Sequence, residues 1–365
     1  MHRSGTSAIT RGIKELGVNL GNNLMPPAVG NNDKGFWEDL EIFALNEEVL
    51  AELGCSWNSL RLIGPDELMG PRLDPLRLRA AKVITKKLDK DNRFGFKDPR
   101  VSRLLPFWQK VFSDLRLDDR YVIALRNPLS VANSLAARDG FSPEKSYLLW
   151  LEHMISAMIG TESKPRVVID YDLLMNDPIH QVRRIASVVG IKSGRVVSRK
   201  QFLSYTGNYL EESLRHSRFD LAAVARDPRL PELVLEAYRR LVDFATDKVS
   251  PQDPLAQKMW YRVEKTLRSL APIYGFLDRE IQGHTEAQHT AAERDVQITR
   301  LNQVVAERDG QLANLNQAVA ERDGQIARLN QVLVGRTEQI GNLNQAVAEL
   351  ERQRWSNLIG QLLRR

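Results

Sequence analysis

A chain of 365 residues with 42% hydrophobic content has room for one large or two ordinary domains with packed cores. Its single cysteine, Cys55, excludes an internal disulfide framework and a cysteine-rich zinc site, and suits a reducing, cytoplasmic setting. The formal charge of +6 favours anionic ligands in general, but no Lys/Arg tract interleaved with aromatics indicates nucleic acid, and there is neither a secretory signal nor a run long enough for a transmembrane segment.

The chain opens Met1-His2-Arg3-Ser4-Gly5-Thr6-Ser7, a hydroxyl-rich turn with one cation, running into a helix predicted over Ala8–Leu16. Glycine lets the backbone turn tightly, free N–H groups at a helix start face an anion, and hydroxyls with a cation complete the shell. That is phosphate-cradle chemistry. It is not a Walker A loop, because Thr6 rather than a lysine follows Gly5, and the cation Arg3 comes before the glycine. Alone, the turn fits a helix cap as well as a cradle. Such a loop normally leaves a β-strand and no residues here supply one, so the expectation is a start at an internal Met or a loop of another kind.

Further along, Lys34-Gly35-Phe36-Trp37-Glu38-Asp39 is a turn entering a helix near Leu40–Leu53. Phe94–Lys97 is a short predicted strand, followed by a helix near Ser102–Phe112. Arg120–Leu125 and Arg166–Asp170 are apolar runs of the kind buried in a parallel sheet. A helix follows the first from Pro128, and another, near Ile179–Val189, follows the second and stops at Gly190. Strands alternating with helices predict an α/β fold, a P-loop-like parallel sheet covered by helices on both faces with its first strand missing. Ligands of such sheets bind beyond the carboxyl ends of the strands.

Leu255–Leu277 reads as one long helix, after which the composition changes. Glu293-Arg294-Asp295 recurs as Glu307-Arg308-Asp309 and Glu321-Arg322-Asp323, a spacing of fourteen residues. Ile298, Val305, Leu312, Val319, Ile326, Leu333, Ile340 and Val347 form an a series, with Leu301, Leu315, Leu329, Leu343 and Leu350 at d. Mostly β-branched a positions with Leu at d favour a parallel dimer, so a long C-terminal coiled-coil helix pairing as a parallel homodimer is expected. A long helix folded back on the body is the alternative. Arg308, Arg322 and Arg336 occupy the remaining d positions and weaken the seam while fixing register or snorkelling outward. Gly310 and Gly324 fall on its outer face. The expected division is 1–250 catalytic α/β domain, 251–290 helical connector, 291–350 coiled coil and 351–365 a short amphipathic tail around Trp355.

Arg126-Asn127-Pro128 leaves a predicted strand, and Ser134 lies eight residues beyond Arg126, two turns into the next helix. A guanidinium fork suits a phosphate monoester and a hydroxyl adds a second contact, although an Arg at a strand end also makes surface ion pairs. With the first loop, this Arg-x-Pro…Ser spacing resembles the sulfotransferases that use 3′-phosphoadenosine 5′-phosphosulfate, in the bacterial branch with His-Arg-Ser-Gly-Thr-Ser loops. A third segment, Tyr171-Asp172-Leu173-Leu174 through Asp177-Pro178 to Val189-Gly190-Ile191, resembles a further landmark of that family. The resemblance covers about residues 1–220 and none of the tail.

The resemblance implies a donor nucleotide held by Ser4, Gly5, Thr6 and Ser7 at its 5′-phosphate and by Arg126 and Ser134 at its 3′-phosphate, with Arg3 and Lys97 beside the sulfuryl group. It implies transfer to a hydroxyl acceptor, a saccharide or other carbohydrate. Sulfuryl transfer needs in-line positioning and positive charge, which Arg and Lys supply without a metal. The acceptor needs a general base. Lys97-Asp98-Pro99 lacks the His that cytosolic members carry there, which leaves Glu38 as the candidate and Asp98 in reserve. Glu38 also suits a helix N-terminus. His153 reads as structural, and Arg215, His216 and Arg218 form a basic cluster on a solvated face or within reach of an anion. Ala8 stands where the cytosolic branch has Trp, so no residue is assigned to stack on adenine. A catalytically dead, shortened relative serving as a coiled-coil scaffold is the alternative function; a nucleotide kinase is disfavoured by the absent Walker lysine.

Overall fold

The computed structural model describes residues 1–28, 35–88, 93–191, 199–210 and 219–363, in two compact units, Met1–Ile281 and Gln282–Arg365. The first unit is mostly helical. Helix α1 (Thr6–Glu15) follows Gly5 with no side-chain cap, whereas α2 (Leu40–Glu52) begins on Asp39, whose carboxylate accepts from the N–H groups of Glu41 and Ile42. After α3 (Pro65–Met69), α4 (Asp74–Leu88) and α5 (Leu105–Asp114) comes α6 (Pro128–Asp139), capped by Asn127 and closed by Gly140 at φ 68°. Ser142 caps α7 (Pro143–Gly160), Asp170 caps α8 (Tyr171–Asn176) and Asp177 caps α9 (Pro178–Val188). The remaining helices are α10 (Arg199–Ser204), α11 (Leu221–Arg226), α12 (Glu232–Ala245), α13 (Pro254–Ser269) and α14 (Ala271–Leu362).

Between them lies a parallel pair, β1 (Tyr121–Leu125) and β2 (Arg166–Asp170), with Tyr121 opposite Arg166 and Leu125 opposite Asp170. Alternate side chains enter different cores. Ile123, Leu125 and Val168 pack with α6, α7, α12 and α13, while Val167 and Ile169 pack with α1, α8 and α9. Both faces are therefore covered by helices, as two uninterrupted apolar runs require. A third core joins α2, α4 and α5 around Phe107 and Trp108.

Two expectations need correction. Phe94–Lys97 does not form a strand: its ladder is reduced to one parallel bridge, Asn19 to Phe94, with Gly95 N–H donating to Asn19 O at 2.8 Å. Among the described residues the sheet thus has two strands. Leu255–Leu277 is not one helix but α13 and the start of α14, parted at Leu270. Pro272 explains the break, since its ring clashes with the carbonyl four residues back and it has no N–H to donate.

From Gln282 on, α14 is the second unit. Its a and d residues are more than half exposed, Ile298 and Leu301 at 54% and 63% among them. From Ile298 to Leu350 the seam is about 80 Å long at 1.5 Å per residue. No helix among the described residues is long and apolar enough to cross a membrane.

Candidate functional site

The three sequence landmarks meet at the carboxyl end of β1. Arg126, the residue after that strand, donates from Nη1 to the carbonyl of Arg3 at 3.0 Å and stacks its guanidinium 4.9 Å from the Tyr171 ring centre. The carbonyl of Arg126 accepts from Trp150 Nε1 of α7 at 3.0 Å, which fixes the residue from behind. Tyr171 also lies against Gly5: a Cβ there would come within 2.2 Å of the ring, and Gly5 has φ 72°. Only glycine fits that place, for both reasons.

On one side of the loop, Arg3 Nε donates to Ser134 Oγ at 2.6 Å, joining the loop to α6. Arg138 follows Ser134 by four residues on the same helix, hence on the same face, and adds a third guanidinium. Burial, then the nearby charges of Arg138 and Arg126, pulls Arg3 below the usual arginine value. Burial likewise lowers Arg126, against the opposing pull of Tyr171, Asp172 and Asp170. A half-buried Arg3 guanidinium pressed by two neighbouring cations is what an anion would relieve, although Arg138 already pairs with Asp139 at 2.8 Å. Among the described residues, three buried polar atoms here also have no hydrogen-bond partner: Ser4 Oγ, Arg126 Nε and Ser130 Oγ. A buried donor or acceptor left unmade is costly, and these fit an anionic ligand's oxygens.

On the other side, the Phe36 carbonyl accepts from Ser7 Oγ at 3.2 Å and from Lys97 Nζ at 2.7 Å. Lys97 Nζ also meets Glu38 Oε1 at 2.7 Å. Both side chains are nearly enclosed. Burial raises the Glu38 carboxyl and lowers the Lys97 ammonium, and the pairing opposes both shifts. Arg3 and Trp37 are two of the four non-glycine residues with positive φ among those described, at 61° and 62°, so backbone strain gathers beside the candidate residues.

Thr6 opens α1 with its own carbonyl accepting from Thr10 Oγ1, and no side chain caps that helix start. An uncapped N-terminus with no acidic residue in its first turn is open to an anion. Asp98 is occupied structurally, accepting from Arg100 N, Arg100 Nη1 and Asn46 Nδ2. His153 is buried beside Glu152, whose Oε1 accepts from Arg103 Nε at 2.8 Å. Arg215, His216 and Arg218 lie outside the described residues. Comparison with protein-family models, with curated proteins and with solved structures finds no match to this chain.

The site therefore consists of the predicted residues plus four that sequence reasoning did not assign. Arg138 and Ser130 share α6 with Ser134 and were within reach of a helical-spacing argument. Tyr171 stood in a landmark without a role, and the Phe36 carbonyl carries no sequence signal at all. The group can bind an anion along α1 and α6 and can move a proton at Glu38.

Proposed function

We propose that the protein transfers a sulfuryl group from 3′-phosphoadenosine 5′-phosphosulfate to a hydroxyl of a saccharide. The observation that carries this reading is the meeting of Arg3, Ser4, Arg126 and Ser134 around unpartnered buried donors at the carboxyl end of a parallel strand. The acceptor class rests on the resemblance of the first loop. Arg126 and Ser134 would clamp the 3′-phosphate, and Ser4 to Ser7 with the α1 N-terminus would hold the 5′-phosphate. Lys97 and Arg3 would offset charge on the peripheral oxygens. In the step itself the acceptor oxygen bonds to sulfur as the bond from sulfur to the phosphate oxygen breaks. The bonding pair leaves on the nucleotide, and the hydroxyl proton passes to the Glu38 carboxylate. Burial, by raising Glu38, brings that group closer to a base matched to neutral pH.

The tail supports a second copy of the chain as partner. In a parallel pair each d side chain lies beside the partner's e position, where Asp309 and Asp323 would meet Arg308 and Arg322. The test of the chemistry is calorimetric titration of 3′-phosphoadenosine 5′-phosphate into the full chain. Micromolar binding is expected, weakened about 10- to 100-fold by Arg126→Ala or Ser134→Ala through loss of charge-assisted bonds. Glu38→Gln should keep that affinity and lower turnover by about 100-fold or more. A folded chain that binds no nucleotide would overturn the reading, and full activity in Glu38→Gln would remove the base.

A further inference from the structure

A second group of cations in the first unit is set on aromatic rings. Lys145 lies in the first turn of α7, 9% exposed, with its ammonium 4.4 Å from the Phe141 ring centre. Among the described residues that ammonium makes no ion pair and donates no hydrogen bond. Asp278 and Asp139 attract it from beyond ion-pair distance, and both are engaged elsewhere. Asp278 accepts from the N–H groups of Leu60 and Arg61 at 2.7 and 2.9 Å, and Asp139 pairs with Arg138 at 2.8 Å. Burial lowers the Lys145 ammonium below its ordinary value, against the pull of those two carboxylates. A cation in the first turn also opposes the helix dipole. The contact with Phe141 offsets part of this cost, and a bound anion would offset the rest.

Rings in contact join this group to the candidate site. Phe141 stacks on Trp57 with centres 5.7 Å apart and planes at 27°, and the Arg138 guanidinium stands 5.2 Å from the Trp57 ring centre. The ring of His2, the neighbour of Arg3, lies 4.3 Å from Trp57. His2 Nε2 is buried and has no hydrogen-bond partner among the described residues. Trp57 and Phe141 are only partly buried. Partly exposed rings, a ring nitrogen able to meet a hydroxyl and an ammonium without a counter-ion are the mixed lining that holds a sugar bearing an acid group. With Arg138 paired to Asp139, the unmatched charge is that of Lys145, which suits a singly charged carboxylate better than a phosphate dianion.

We propose that Lys145 and Arg138, over the stacked rings of Phe141 and Trp57, form a subsite for the carboxylate of a uronic-acid saccharide. The proposal rests on the reading of a saccharide acceptor and narrows it to an acidic one. Lys145 would hold the carboxylate, Arg138 would add a second donor, and His2 Nε2 would meet a sugar hydroxyl.

The test titrates tetragalacturonate and its carboxyl-reduced, neutral form into the full chain by calorimetry, without nucleotide. The acidic sugar should bind about 10-fold tighter or better, as expected for a charge-assisted bond. Lys145→Met, which keeps an apolar stem over Phe141, should erase that preference, and Lys145→Arg should keep it. Each variant should bind 3′-phosphoadenosine 5′-phosphate as the unaltered chain does. Equal affinity for the two sugars, binding of neither, a preference that survives Lys145→Met, or weaker nucleotide binding in that variant would overturn the subsite. Absence of nucleotide binding in the unaltered chain, with the sugar preference intact, would instead overturn the transfer reading and leave the subsite standing. Should Lys145→Met fail to fold, Lys145→Gln takes its place, and the contrast between the two sugars on the unaltered chain needs no variant.

Discussion

The two units spend the same kinds of residue in opposite ways. In the first, Trp150, Leu125 and Val168 are sealed at 0% exposure between sheet and helices, and the chain supplies both sides of every core contact. In the second, Leu315 and Leu329 each stand 63% exposed along one helix, uncovered by the other described residues of that unit. The periodicity is as regular in the tail as anywhere in the body. What differs is closure: a parallel strand pair gathers helices from distant sequence around it, whereas a heptad seam on one straight helix can be buried only by another helix. A regular apolar pattern thus specifies what kind of neighbour is needed, not whether the same chain provides it.

The sharpest way to break this contrast is to cut one side chain from each region. Trp150→Ala should destabilise the first unit by about 3–5 kcal/mol in urea denaturation, from the cavity and the lost bond to the Arg126 carbonyl. Leu315→Ala should leave that transition where it was and act only on self-association of the tail, followed by sedimentation. A shared shift in the first transition would show the two regions to be energetically joined.

A smaller effect separates charge from packing inside the body. Burial raises the Asp170 carboxyl to about 6, although it accepts from the N–H groups of Asp172 and Leu173 at 2.9 Å. The folded state then holds a proton that the unfolded state, near the ordinary 3.8, has released. Stability from this group is present below pH 4 and is lost as pH rises through 6, by at most about 3 kcal/mol. Asp170→Asn keeps an acceptor for the cap and should flatten the stability profile between pH 4 and 6. An unchanged slope in the variant would assign it to other groups.

The smallest expected effect sharpens the tail side. Arg322→Leu places an apolar residue at a d position and should strengthen tail pairing by about 1 kcal/mol, read as a higher, concentration-dependent melting temperature. Weaker pairing would mean that Arg322 lies off the seam or has a partner that matters more than burial.

Much of the local structure was legible from residues alone. The helix starts expected near Leu40, Pro128 and Ile179 fall within a residue of the observed ones, because the caps there, Asp39, Asn127 and Asp177, satisfy N–H groups a few positions away and need no distant partner. β1 and β2 were legible as apolar runs for a similar reason. Phe94–Lys97 misled because its composition suits a strand while a ladder needs a run of backbone partners along one edge, and among the described residues only Asn19 bridges to it. The candidate site was half legible: Arg126, Ser134 and the loop could be named, but not that Arg3 would bond Ser134 or that Lys97 would pair with Glu38.

By itself, the sequence determined the alternation of helices with two buried strands, the caps, and a seam that repeats every fourteen residues, since each depends on contacts or periods within a few turns. Only the tertiary structure decided which charges meet. Arg3 and Ser134 are brought to one point from 131 positions apart, and Lys97 and Glu38 from 59. No local rule reaches that far; the packing of helices on both faces of one strand pair does.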